Sequence, residues 1–217
     1  MDNQKVTPYE QARRYIQPYD AIICYDTNLL WRAIGHTATF RVVKDANGNN
    51  VQISVFESTQ RNVWSGRSGV QCNPLSTWKH NRKGAIEVLQ FFSMCPPEQL
   101  ERARVLDDTF FNEVYGLPYP KLTLKEDGWK KLVYSAIDLS LFGKDVFVYK
   151  GKDKGIFCTQ LYVARIGFIG LLQDNLTNDL EAALYFAQEF EPDDVKRYGK
   201  FWQYVQYGKA GASYRLQ

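Results

Sequence analysis

Hydrophobic and polar positions alternate with a period of two over residues 36–43 and again over residues 51–58. That period predicts two β-strands, each with one apolar face. The intervening sequence, residues 45–50, is rich in Asn, Asp and Gly and is typical of a tight turn. In an antiparallel hairpin the start of the first strand lies beside the end of the second. The pattern therefore predicts that His36 and Glu57 lie at the same end of the hairpin and, if each apolar set faces the core, on the same face.

A second pattern is a long apolar segment that follows Gly155 and contains Arg165 as its one charged residue before Leu172. It predicts a buried helix whose first turn carries Cys158. Unpaired backbone N–H groups and the positive end of the helix dipole favour a thiolate at that position. Cys158 is the first candidate for chemistry, although a single cysteine on an apolar helix is more often an inert core residue.

The remaining patterns alternate between short helices and short strands, without an internal repeat. We predict an N-terminal helix within residues 1–17, strands over 20–25 and 85–92, an edge strand at 70–72, a short turn at 75–78, and helices over 27–34, 97–116, 129–142 and 178–190. Residues 145–149 are predicted to be a strand or part of a lid, and an aromatic-rich tail follows Pro192. The chain is thus predicted to be one α+β domain spanning residues 1–217, with residues 120–155 as an insertion or lid.

Composition narrows the classes of function. The chain has 217 residues, 45% of them hydrophobic, and a net charge of +3, which is typical of a globular protein without a strong field to recruit nucleic acid. The N-terminal residues lack the apolar core of a signal peptide, and no window has about 18 uninterrupted apolar residues. We therefore expect no nucleic-acid partner, no transmembrane segment and a cytoplasmic location.

The four cysteines are widely spaced, with no CxxC motif and no grouping with the two histidines. This spacing predicts reduced thiols and disfavours a zinc site. We predict no metal and no cofactor. Cys24, Cys72 and Cys95 are interpreted as structural, and His80, in a polar segment, as solvated.

Nucleophilic cysteine chemistry requires a base for the thiol proton and a polar group that orients the base. Cys158, His36 and Glu57 supply these residue types at predicted element ends. Each has a simpler interpretation, since a histidine at a strand start is usually half exposed and a glutamate at a strand end usually faces water.

Several segments, in one order along the chain, resemble a known family. They are residues 20–23 (DAII), 35–38 (GHTA), 55–58 (VFES), 69–75 followed by 85–89, 113–119 (EVYGLPY), 157–161 (FCTQL) and 191–195 (EPDDV). Together they resemble the circularly permuted NlpC/P60-type, papain-like cysteine peptidases, in particular the YiiX-like branch, and more distantly the lecithin retinol acyltransferase group. Departures from the family pattern are Tyr19 for an opening glycine, Gln160 for a glutamate, and a longer, more aromatic region 120–155.

The resemblance implies a permuted papain-like domain in which an antiparallel sheet packs against helices. It further implies that Cys158 is the nucleophile, that His36 is the general base and acid, and that Glu57 orients His36. The oxyanion would be held by the backbone N–H of Cys158 and a second donor, for which Tyr25 is a candidate.

The function expected from these residues is a cysteine hydrolase, an amidase or peptidase acting through an acyl-enzyme, with a peptide of the cell-wall type as substrate. One alternative is thioesterase or acyltransferase chemistry on a lipid-like acyl group, for which the aromatic residues Tyr149, Tyr162, Phe168 and Trp202 would suit a pocket. Another is a structural or binding protein, for example viral, that keeps the fold without turnover. Without an export signal, a cell-wall substrate requires delivery by a virion or release by lysis, which is compatible with a bacteriophage origin.

Overall fold

An antiparallel sheet packed against helices forms the centre of the structure, a computed structural model that describes residues 6–7, 9–25, 35–59, 66–80, 85–119, 155–173, 178–196, 198–207 and 213–216. The strands are β1 (Val6–Thr7), β2 (Ala21–Tyr25), β3 (His36–Lys44), β4 (Asn50–Thr59), β5 (Gly69–Pro74), β6 (Ala85–Leu89) and β7 (Ser213–Leu216). Their order in the sheet is β1-β7-β6-β2-β3-β4-β5, and every pairing is antiparallel except the short parallel one between β1 and β7.

The helices are α1 (Tyr9–Ala12), α2 (Leu75–His80), α3 (Pro97–Val114), α4 (Cys158–Phe168), α5 (Leu180–Ala187) and α6 (Pro192–Val195), with a 3-10 turn at Lys200–Gln203. The described part of the chain is therefore a mixed α/β fold, as predicted. No helix within it is long and apolar enough to span a membrane.

The β3–β4 hairpin forms with the predicted alternation. Phe40 pairs with Val55, and the Asp45 carboxylate accepts the backbone N–H groups of Asn47 and Asn49 at 2.9 and 2.8 Å. The turn closes at Gly48, whose φ of +80° is readily adopted by glycine. The sequence pattern thus set both the register and the faces of the hairpin.

Each face of the sheet carries its own apolar core. One core contains Ala38, Phe40, Ile53 and Val55 and is closed by Trp78. The other lies between the opposite face and the helices α3, α4 and α5.

All eleven residues of α4 are buried, which is why its sequence is apolar on every side. The helix ends at Phe168, earlier than the apolar run, because Gly170 turns the chain with a φ of +73°.

Arg165 is the one charged residue of α4, and its side chain is fully buried. Its guanidinium donates to both carboxylate oxygens of Asp107 on α3, at 2.6 and 2.8 Å. It also donates to the Thr39 hydroxyl and the Phe40 carbonyl of β3, each at 3.0 Å. One side chain therefore ties α4 to α3 and to the sheet.

The structure differs from the sequence patterns at several element ends. The N-terminal helix was predicted within residues 1–17, but α1 covers Tyr9–Ala12. The Gln17 N–H, which would bond to the Arg13 carbonyl in a longer helix, donates to Asp20 Oδ2. The Arg13 and Ile16 carbonyls accept from the Asn50 side chain of the hairpin at 2.7 and 2.9 Å.

Other elements are shorter or longer than predicted. The edge strand is longer than predicted (β5), whereas the predicted 178–190 helix is shorter (α5) and is capped by Asp179, which accepts from the Ala182 N–H at 2.9 Å. The turn predicted at 75–78 is the helix α2, and β1 and β7 were not predicted. The elements predicted at 27–34, 129–142 and 145–149, and residues 120–154 of the predicted insertion, lie outside the described residues.

Asp20, just before β2, is a buried carboxyl group. Its Oδ2 accepts the Gln17 backbone N–H at 3.1 Å, while Oδ1 has no hydrogen-bond partner within the described residues. Burial raises the pKa of Asp20 well above its ordinary value, although hydrogen bonds from Gln17 and Gln90 act in the opposite direction. The folded protein therefore favours the protonated form of this group.

Asp20→Asn is expected to remove part of the pH dependence of stability. Because the folded pKa is raised, the wild type loses stability as the pH rises above the unfolded pKa of about 4 and through the folded pKa, whereas an amide has no charge to bury. The free energy of unfolding of the variant, measured with urea at about pH 5 and about pH 8, should exceed that of wild type by more at the higher pH. A constant difference between the two proteins would contradict the prediction.

Candidate active site

His36 and Glu57 meet at one end of the hairpin. His36 Nε2 lies 2.7 Å from Glu57 Oε2, and the Glu57 side chain is 0% exposed, against 16% for His36. His36 is the first residue of β3 and Glu57 is close to the end of β4, so the antiparallel pairing brings the two together. The predicted juxtaposition of these residues is confirmed.

Cys158 is the first residue of α4, and Gln160 fixes the start of the helix. The Gln160 Oε1 accepts the Phe157 backbone N–H at 3.3 Å, and its Nε2 donates to the Leu184 carbonyl at 3.4 Å. A neutral amide can make both bonds, whereas a carboxylate could make the first alone. The glutamine at this position therefore links the start of the helix to α5.

The loop before Cys158 is held from two sides. The Ser58 hydroxyl of β4 donates to the Ile156 carbonyl at 2.5 Å, and the Ile156 N–H donates to the Pro118 carbonyl at 3.1 Å. These bonds fix the chain two residues before the thiol. The cysteine is thereby placed by the same strand that carries Glu57.

Two contacts join α4 to β3. Thr37 contacts Thr159, with the two Oγ1 atoms 3.2 Å apart, and Thr39 contacts Arg165. The start of the helix therefore lies beside the start of the strand. His36 is near enough to Cys158 for its charge and hydrogen bond to lower the pKa of the thiol.

The surroundings of Cys158 act in opposite directions on the pKa of its thiol. Burial raises the pKa of its thiol, but the charge and hydrogen bond of His36, the backbone N–H of Thr37 and the hydroxyl of Thr159 lower it, and the net result is a fall from 9.0 to about 7. Because His36 Nε2 contacts Glu57, the other ring nitrogen, Nδ1, is the one left to interact with the Cys158 sulfur. Cys158, His36 and Glu57 are thus brought together.

Cys24, Cys72 and Cys95 are not joined in disulfide bonds. Burial raises the pKa of Cys72 and brings that of Cys95 to about 11, in contrast to Cys158. His80 is the last residue of α2, and residues 81–84 lie outside the described part. Within the described ranges, no three His, Cys, Asp or Glu residues are grouped to hold a metal ion.

Tyr25, the predicted second oxyanion donor, makes a different contact. Its hydroxyl donates to Glu87 Oε2 at 3.1 Å, and the Lys196 ammonium lies 5.3 Å from its ring centre. Burial, followed by the Glu87 charge, raises the pKa of Tyr25. The Tyr25 hydroxyl therefore already donates its proton to Glu87. The oxyanion role of Tyr25 stays a prediction.

Sequence reasoning missed three residues of this site. Thr37 and Thr159 directly follow the histidine and the cysteine, and both approach the sulfur. Tyr119 packs edge-on against Phe157 at 5.4 Å, and its pKa is raised by burial and then by the Cys158 charge. For the two threonines, a position next to a residue already singled out was the available signal, but small polar residues and tyrosines are too common to stand out in one sequence.

Glu57→Gln is expected to make Cys158 less reactive. The amide keeps the size of the side chain but removes the negative charge that stabilises a protonated His36, so the ion pair between thiolate and imidazolium becomes less favourable. We expect the rate of Cys158 alkylation by iodoacetamide near pH 6 to fall about tenfold, which corresponds to a rise of about one unit in the thiol pKa.

Mass spectrometry of the Cys158 peptide gives this rate. Glu101→Gln is the control, because Glu101 pairs with Arg104 on the exposed side of α3. Equal rates in the Glu57→Gln and Glu101→Gln proteins would show that Glu57 does not support the thiolate.

Comparison of the chain with models of known protein families and with curated proteins found no match. The function proposed below is therefore supported by the residues and their geometry.

Proposed function

We propose that the protein is a cysteine hydrolase of the amidase or peptidase type, with Cys158 as nucleophile, His36 as general base and acid, and Glu57 as the residue that orients His36. The observation that carries the proposal is the placement of one imidazole between a buried carboxylate at 2.7 Å and a thiol whose pKa is lowered to about 7. A cysteine buried for packing alone would have a raised pKa, as Cys72 has.

The reaction begins with attack of the Cys158 thiolate on the carbonyl carbon of an amide or ester. The carbonyl oxygen becomes an oxyanion, for which the backbone N–H of Cys158, in the first turn of α4, is a donor. The protonated His36 gives its proton to the leaving amine or alcohol, and an acyl thioester remains on Cys158. His36 then takes a proton from water, the hydroxide attacks the thioester, and the thiolate is released with the acid product.

The fold we propose is the circularly permuted papain-like arrangement. Its support is the chain order His36, Glu57, Cys158 together with the mixed architecture, in which two adjacent antiparallel strands carry the base and its partner and a buried helix begins with the nucleophile. Three of the segments that resemble the NlpC/P60-type family, residues 35–38, 55–58 and 157–161, fall on these elements.

A peptide substrate is favoured over a lipid-like acyl group. Of the described aromatic residues that would suit an acyl pocket, Tyr162 and Phe168 are buried against other rings of the core. Trp202 is half-buried and packs on Phe91, with the ring centres 4.2 Å apart. Tyr149 lies outside the described residues. We therefore propose peptides of the cell-wall type as the substrate class.

The experiment is a substrate panel with a covalent readout. Wild-type protein and Cys158→Ala are incubated with cell-wall peptide fragments, acyl thioesters and lipid esters, and both product and intact protein mass are followed. The proposal predicts peptide cleavage and an acyl adduct on Cys158 in wild type, and neither in Cys158→Ala. Cleavage that persists in Cys158→Ala, or failure of every peptide to react, would overturn it, and preference for the thioester or lipid ester would assign the acyltransferase-type alternative.

A further inference from the structure

Two buried threonine hydroxyls lie beside the nucleophile. Thr37 and Thr159 are 0% and 2% exposed, and their Oγ1 atoms are 3.2 Å apart. The Thr159 Oγ1 is also 3.9 Å from the Cys158 sulfur. These two hydroxyls and the sulfur form a short chain of polar atoms between β3 and α4.

The direction of the hydrogen bonds along this chain follows from the donors that are present. Each hydroxyl has one proton to donate, whereas a thiolate can accept but not donate. If Thr159 gives its proton to the sulfur, Thr37 must supply the proton for the bond between the hydroxyls. This arrangement satisfies both buried hydroxyls, and a buried hydroxyl without a partner is costly.

Thr37 approaches the sulfur a second time through its backbone. The Thr37 backbone N–H lowers the pKa of the Cys158 thiol and so favours the thiolate. Thr37 therefore acts on the sulfur through its backbone and, by way of the Thr159 hydroxyl, through its side chain. Valine has the same shape as threonine and would fill the same space without polar atoms, so packing alone does not explain two hydroxyls here.

We propose that Thr159 is a positioning residue whose hydroxyl, oriented by the hydroxyl of Thr37, donates a hydrogen bond to the Cys158 thiolate and holds the sulfur beside His36. The inference rests on the proposed function, because it concerns the same activated thiol. The donor favours the thiolate before acylation and again when the thiolate leaves in hydrolysis of the thioester, so both steps benefit.

The test measures Cys158 alkylation against pH in Thr159→Val, Thr159→Ser and Thr37→Val. Thr159→Val removes the hydroxyl but keeps the shape, and its midpoint is expected to move upward by about one pH unit. Thr159→Ser keeps the hydroxyl and should have the wild-type midpoint. Thr37→Val should move the midpoint upward by a smaller amount, because its backbone N–H remains.

An unchanged midpoint in Thr159→Val, or an equal shift in Thr159→Ser, would overturn the inference, since the second result is what a packing role produces. Thermal unfolding shows which variants are folded. If Thr159→Val does not fold, the alkylation midpoint of Thr37→Val is used instead. An unchanged midpoint in that variant also overturns the inference. Wild type and His36→Ala, measured in parallel, test the proposed function separately. If the wild-type midpoint is low and rises in His36→Ala but does not shift in Thr159→Val, the inference about Thr159 is overturned and the proposed function is not.

Discussion

In His36→Ala, acylation of Cys158 by an activated ester is expected to be about 10²–10⁴-fold slower than in wild type at neutral pH. The variant loses the group that moves the proton between thiol and leaving group. It also loses the largest influence that lowers the pKa of the thiol, while the burial that raises this pKa remains. Fewer molecules therefore carry the thiolate, and those that do lack a general acid.

The measurement is a single-turnover rate from intact-protein mass. His80→Ala is the matched control, because the chain has two histidines. His36→Ala also removes one partner of the buried Glu57, so its thermal unfolding is measured alongside to separate loss of activity from loss of structure. An acylation rate within about twofold of the His80→Ala rate, in a folded protein, would show that His36 has no part in the chemistry.

Arg165→Met is expected to lower the free energy of unfolding by about 3–5 kcal/mol. The substitution leaves the Asp107 carboxylate buried without its bidentate partner, and it removes the bonds to Thr39 and to the Phe40 carbonyl. The remaining basic neighbour, Arg41, has its Nε 3.6 Å from Asp107 Oδ2 and cannot replace two bonds below 3 Å.

Urea denaturation measures this loss, and a surface pair gives the control. Arg104→Met removes a pair with Glu101 in which both side chains are more than half exposed, and such pairs contribute about 1 kcal/mol or less. The double variant Arg165→Met with Asp107→Leu should recover a large part of the loss, because it leaves no unpaired charge. Equal losses in Arg165→Met and Arg104→Met would contradict the structural role of Arg165.

Local patterns were sufficient for the elements that carry the site. The alternation in β3 and β4 and the turn at residues 45–50 depend on neighbours in sequence, and they place His36 beside Glu57 by pairing rules alone. The apolar run after Gly155 likewise predicts a helix buried on all sides. Those elements contain three of the four predicted site residues.

Contacts between distant segments could not be predicted in the same way. Thr37 and Thr159 are 122 positions apart, and Tyr25 and Glu87 are 62 apart, so neither contact leaves a local pattern. The strand β7 joins the sheet from the far end of the chain, and the polar–apolar alternation of its four residues, SYRL, is too short to predict a strand. The short N-terminal helix has a similar cause, because the Arg13 carbonyl, which a longer helix would use, accepts from the Asn50 side chain of the hairpin.

The most direct measurement of the Cys158–His36 pairing is the rate of Cys158 alkylation by iodoacetamide against pH, in wild type and in His36→Ala. An activated pair predicts a wild-type midpoint near 7, which rises when His36 is removed, because the largest influence that lowers the pKa of the thiol is then lost while burial still raises it. A wild-type midpoint at or above 9.0, or the same midpoint in both proteins, would contradict a catalytic pair and leave Cys158 as a buried structural cysteine.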